Sequence, residues 1–161
     1  MSLAAGGAAP QLFFEPKAWS RRYGDDFFTV TIPTHKIVNN KDGAATAAQA
    51  SKVSRGTHGA FVIQGRRGDL TWHVERRYSE FVRLHARGTA GAPPTAPDAP
   101  PAAPATLPPK SLWWTAQDQK FLERRRSSLE AYLHRLLARR GVCALPHVWD
   151  FLSAGAVSVG S

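Results

Sequence analysis

Eight of the twelve prolines in this 161-residue chain fall between Ala90 and Pro109, a stretch that carries a single charge, Asp98. A run so dense in proline lacks the backbone N–H groups and the free φ angles that a helix interior or a central strand needs. Polyproline II is its natural state. The chain is thereby divided into two halves that must pack on each other across an extended connection.

The first half is rich in strand signals. Phe27–Val38 (FFTVTIPTHKIV) is β-branched and aromatic, and Pro33 confines it to a sheet edge or a bulge. Asn39–His58 follows with almost no large apolar side chain, as a long flexible inter-strand loop. Gly59–Gln64 and Asp69–Arg77 flank the turn signal Gly65–Gly68 and predict a hairpin. In its second strand Leu70, Trp72 and Val74 share one face by alternation, so Arg76 falls on the apolar side and Arg77 on the other. Ser79 is a plausible N-cap for a short helix to Arg87, with Phe81 and Leu84 inward and Gly88 as its stop.

Helical periodicity governs the second half. From Ala116 to Arg140, Leu122, Leu129, Leu133, Leu136 and Leu137 recur at three- and four-residue spacings, with arginines on the remaining faces. Leu145–Leu152 predicts a short closing helix. Strands first and helices second predict an α+β fold. The expectation is a three-stranded antiparallel sheet packed against a helical subdomain, with the Pro-rich loop between the first and second main helices. Residues 1–15 and 154–161 read as tails around a domain at 16–153.

Composition narrows function. Lys and Arg number 21 against 12 Asp and Glu, a formal net charge of +9, so an acidic partner is expected. One cysteine, Cys143, excludes an internal disulfide and a cysteine-clustered zinc site. The six histidines show no metal-ligand spacing, and no metal or cofactor is expected. No apolar stretch approaches the ~20 residues of a membrane span. Paired carboxylates, a Gly-rich phosphate loop and a nucleophile motif are not found, so catalysis is not expected.

Two places concentrate chemistry. One is Arg76-Arg77-Tyr78-Ser79-Glu80-Phe81, at a strand–helix join. The other runs from Leu107 through Pro108-Pro109-Lys110 and Trp113-Trp114 to the triplet Arg124–Arg126. Arginine's planar fork suits phosphate oxygens, lysine supplies a point charge, and adjacent tryptophans suit a water–lipid interface.

RRYSEF after a hairpin, then a Pro-rich stretch ending in LPPK, then ERRRSSLEAYLHRLL, resembles a Phox homology (PX) domain of the sorting-nexin type over about Phe27–Leu152. The resemblance implies a phosphoinositide-binding, membrane-targeting module, with phosphatidylinositol 3-phosphate favoured. It implies that Arg77 grips the 3-phosphate, that Tyr78 packs along the inositol ring and that Lys110 lies near the 1-phosphate. Arg125, seven residues before Tyr132, would hold the 4- and 5-hydroxyls. Leu112, Trp113 and Trp114 would form a membrane-inserting loop. Location is then cytoplasmic, peripheral on endosomal or other phosphoinositide-bearing membranes. The connection at 39–58 and the proline density at 90–104 exceed the family's usual pattern.

A scaffold function is the alternative, with the P-x-x-P spacings of the Pro-rich loop serving an SH3- or WW-type partner and charge giving only nonspecific adhesion to membranes or nucleic acid. No specific nucleic-acid pattern is present, and a basic isoelectric point alone does not make one.

Overall fold

The computed structural model describes residues 12–20, 22, 27–39, 57–88, 106–109, 119–139 and 141–159. Three long strands carry the fold: β2 (Phe27–Asn39), β3 (Thr57–Arg67) and β4 (Leu70–Arg77), paired antiparallel in sequence order. Two short segments widen the sheet to five strands, β1 (Leu12–Phe13) parallel to β2 and β5 (Val157–Val159) antiparallel to β4. Both segments lie in stretches read from sequence as tails. Two or three residues with no flanking turn signal leave no period to detect, so pairing alone defines them.

The sequence expectations need other local corrections. Thr57 and His58 extend β3 and pair with Asn39 and Val38, so the inter-strand connection is shorter than 39–58. The hairpin turn is Gly68–Asp69, since Arg67 pairs with Leu70, and Gly65, Arg66 and Arg67 belong to the strand. Gly68 has φ of 56°, the left-handed conformation that favours glycine at the first position of a two-residue turn.

Pro33 sits in a bulge, where the β2–β3 register shifts between Thr31 and Thr34. The extra residue reverses the alternation: Phe28, Val30 and Ile32 face the core before it and Ile37 after it, all at most 8% exposed. The bulge leaves backbone polar groups needing partners, and helix α2 (Gln119–Leu137) supplies them. Ile32 donates its N–H to Glu130 Oε2 at 2.7 Å, and Arg126 Nη1 donates to the Ile32 carbonyl at 2.6 Å. His134 Nε2 also lies 2.7 Å from the Val30 carbonyl oxygen.

Helices α1 (Tyr78–Arg87), α2 and α3 (Pro146–Ser153) cover the apolar face, burying Phe81, Leu84, Leu122, Leu129, Leu133 and Leu152 against Phe61, Ile63 and Val74. This is the expected α+β arrangement. Of the Pro-rich stretch between α1 and α2, only 106–109 lies within the described residues. Trp72 and Tyr132 are core, each 1% exposed. Burial pushes the Tyr132 phenol up to about 12.

Arg76 is a structural arginine, as its inward position implies. Its Nε donates to the Phe151 carbonyl at 2.8 Å, and its Nη2 donates to the carbonyls of Asp150 at 3.2 Å and Ala154 at 2.6 Å. These are carbonyls at the C-terminal end of α3, where intrahelical donors run out. Arg76→Ala is expected to lower unfolding free energy by about 2 kcal/mol, because those partly buried acceptors lose a charged donor. Urea unfolding of variant and parent, compared at equal m-values, checks it.

Candidate functional site

Strand β4 runs into α1 without a linker, so Arg77 is the last strand residue and Tyr78 the first helical one. Glu80 makes the sharp junction: its Oε2 accepts the Arg77 backbone N–H at 2.8 Å. A carboxylate three residues into a helix commonly closes its N-terminus in this way. The cap is therefore at Arg77, two residues earlier than the Ser79 predicted from sequence. The Arg77 side chain is exposed and makes no ion pair with the described residues. By contrast, Arg76 is committed to α3.

Tyr78 is half-buried and turns toward the end of the Pro-rich connection, where its hydroxyl donates to the Pro108 carbonyl. Arg125 comes from α2 to the same place. Its guanidinium carbon lies 4.0 Å from the Tyr78 ring centroid and 4.7 Å from that of Phe121, and Nη2 donates to the Pro109 carbonyl at 2.5 Å. The residue is 7% exposed. Burial lowers its pKa, with Tyr78 acting in the opposite direction, and an arginine so placed stays charged. Two aromatic faces are what keep a buried guanidinium favourable here.

Leu107, Pro108 and Pro109 are thus fastened at three points: Leu107 packs on the core, Tyr78 holds one carbonyl and Arg125 the next. Lys110 follows immediately. It lies outside the described residues, as do Leu112, Trp113 and Trp114.

The arginine triplet divides its labour, because consecutive helical residues point about 100° apart. Arg126 ties α2 to the β2 bulge and to Glu123, and its pKa is raised by that carboxylate. Arg124 is exposed, and Arg125 alone of the three meets Tyr78. Of the predicted site residues, the structure therefore brings together Tyr78 and Arg125, beside the segment that leads into Lys110, while Arg77 directly precedes Tyr78 at the end of β4.

Sequence reading passed over two contributors. Phe121, four residues before Arg125, shares its helix face, and that i, i+4 spacing is a usable signal. The carbonyls of Pro108 and Pro109 have no signal in side-chain chemistry. Among the described residues no cluster of His, Cys, Asp and Glu is arranged to hold a metal ion, and no helix is long and apolar enough to cross a membrane.

Comparison with known proteins agrees with this fold. A solved structure described as an X-ray structure of a designed CISK-PX domain superposes with a TM-score of 0.56 at 27% identity, covering 78% of this chain and 98% of that one. No curated protein sequence matches the chain significantly. The family model for the PX domain matches residues 65–154, from the hairpin through Arg77, Tyr78 and Arg125 to the end of α3. The chain belongs to the PX domain family, whose members are phosphoinositide-binding, membrane-targeting modules.

Proposed function

We propose that this domain recruits its chain to the cytoplasmic face of endosomal membranes by recognising phosphatidylinositol 3-phosphate. The observation that carries the reading is the stacked Tyr78–Arg125 pair directly after Arg77, an exposed arginine that makes no ion pair with the described residues. A planar guanidinium at the start of a helix suits a phosphate monoester, which also gains from the positive end of the α1 dipole. In this reading Arg77 binds the 3-phosphate and Tyr78 lies along the inositol ring. Arg125 turns donors not used by Pro109 toward the 4- and 5-hydroxyls. Lys110, delivered by the fastened Leu107–Pro109 segment, meets the 1-phosphate.

Membrane residence then sums weak terms. Headgroup binding is one. Basic surface charge adds about 1 kcal/mol per Lys or Arg close to an anionic leaflet. Insertion of Leu112, Trp113 and Trp114 at the interface adds a third. Together these convert a modest headgroup affinity into recruitment.

Liposome flotation at physiological salt tests the reading across phosphatidylinositol 3-phosphate, 4-phosphate and bisphosphorylated lipids. The expected result is selective flotation with the 3-phosphate. Equal flotation with every anionic vesicle would reduce the function to charge-driven adhesion.

A further inference from the structure

The sequence around His58 assigns it no role, yet strand pairing carries it to the edge of the site. Ala60 of β3 stands directly opposite Arg77 of β4, and His58 lies two residues further along β3 on the same face of the sheet. Such diagonal neighbours are about 7–8 Å apart at the backbone, within reach of an arginine and an imidazole. Between them stands Ala60, whose side chain ends at Cβ.

We propose that His58 is a proton-dependent ligand of the phosphate that Arg77 holds, so that the domain binds its lipid more tightly as pH falls. The inference rests on the pocket reading above and adds a residue and a regulatory input to it.

Several groups face His58 among the described residues. On β2 its pairing partner Val38 is uncharged, and Lys36, opposite Ala60, is engaged in an ion pair with Glu75 of β4. Arg77 approaches from the end of β4 and Glu80 from the first turn of α1. In the free domain partial burial and then the Arg77 charge hold the imidazole below its ordinary pKa, with Glu80 opposing. Before lipid binds, the His58 imidazole is therefore mainly neutral at pH 7 and above.

A phosphate seated on Arg77 reverses the local sign of charge. It cancels the Arg77 repulsion and offers an acceptor to a protonated imidazole, so the bound-state pKa rises. A group whose pKa rises on binding takes up protons on binding, and affinity then increases on acidification. The lipid phosphate acts in the opposite direction, since it loses charge near its own second pKa of about 6. That contribution is common to parent and variants and cancels in the comparison.

The test measures vesicle affinity for phosphatidylinositol 3-phosphate at pH 7.5 and pH 6.0 for the parent, His58→Gln and His58→Arg, with circular dichroism confirming the fold at both values. Relative to His58→Gln, the parent is expected to gain about threefold or more in affinity between the two pH values, the size of one added charge-assisted contact shared between protonation states. His58→Gln is expected to fall further behind the parent at pH 6.0 than at pH 7.5. His58→Arg carries a fixed charge and is expected to bind tightly at both. Identical pH dependence in parent and His58→Gln would overturn the role of His58 while leaving the pocket standing. Failure of the parent to bind at either pH would overturn the pocket reading and this inference with it.

Discussion

Gly65→Ala is expected to destabilise the domain by about 3 kcal/mol, at the upper end of overpacking costs, and to lower Tm by about 10 °C. Gly65 pairs with Trp72 across the β3–β4 hairpin, and the indole covers the glycine. A Cβ there would stand 2.1 Å from Trp72 Cζ2 and 2.3 Å from Cε2. The ring cannot yield. It is 1% exposed, its Nε1 donates to the Leu152 carbonyl at 2.7 Å, and it packs against Trp149 with centroids 5.9 Å apart. Gly59 provides the contrast: its added Cβ would meet Leu122 Cδ2 at 2.6 Å. Leu122 is also buried, but it is held by packing alone and only its methyl end must shift, so Gly59→Ala should cost less, about 1–2 kcal/mol. Thermal unfolding of the two variants side by side checks the pair. Equal losses would mean that Trp72 is not held as described.

Arg77→Ala is expected to cost about 100-fold in affinity for phosphatidylinositol 3-phosphate vesicles, close to 2.7 kcal/mol. A bidentate guanidinium–phosphate contact is worth roughly that much, charge-assisted hydrogen bonds contributing about 1.5–3 kcal/mol. Stability should change by no more than about 0.5 kcal/mol, because the side chain is exposed and forms no ion pair with the described residues. Binding and folding are thus separable at this residue. They are not separable at its neighbour Arg76, which holds the end of α3. Arg77→Lys keeps the charge and loses the fork, so its affinity should fall between parent and alanine. Flotation and urea unfolding of the same preparations measure both quantities. An unchanged affinity in Arg77→Ala would remove Arg77 from the site.

Much of this was legible before any coordinates. Period-two alternation placed Trp72, Val74 and Arg76 inward and left Arg77 outward, and the structure has them so. The leucine spacing of the second half fixed which face of α2 is buried. What stayed hidden has a common physical cause: it depends on partners distant in sequence. Val157–Val159 is a strand only because β4 offers it an edge. Pro33 announced an edge or a bulge, but the choice between them needs the register with β3. In the arginine triplet, spacing to Tyr132 singled out Arg125 by resemblance. Its contact with Tyr78 and the attachment of Arg126 to the Ile32 carbonyl come only from the crossing of α2 over the sheet. Lys110 and the tryptophan loop lie outside the described residues, and their roles stand as proposals.

The central proposal is that one pocket at the β4–α1 junction reads the position of a phosphate on inositol. Calorimetric titration with short-chain, water-soluble phosphatidylinositol 3-phosphate and its 4-phosphate isomer isolates that pocket from membrane insertion and surface charge. The account predicts saturable one-to-one binding of the 3-phosphate, at least tenfold weaker binding of the isomer by loss of a charged contact, and no detectable heat from either with Arg77→Ala. Equal affinity for the two isomers, or binding that persists in Arg77→Ala, would contradict it.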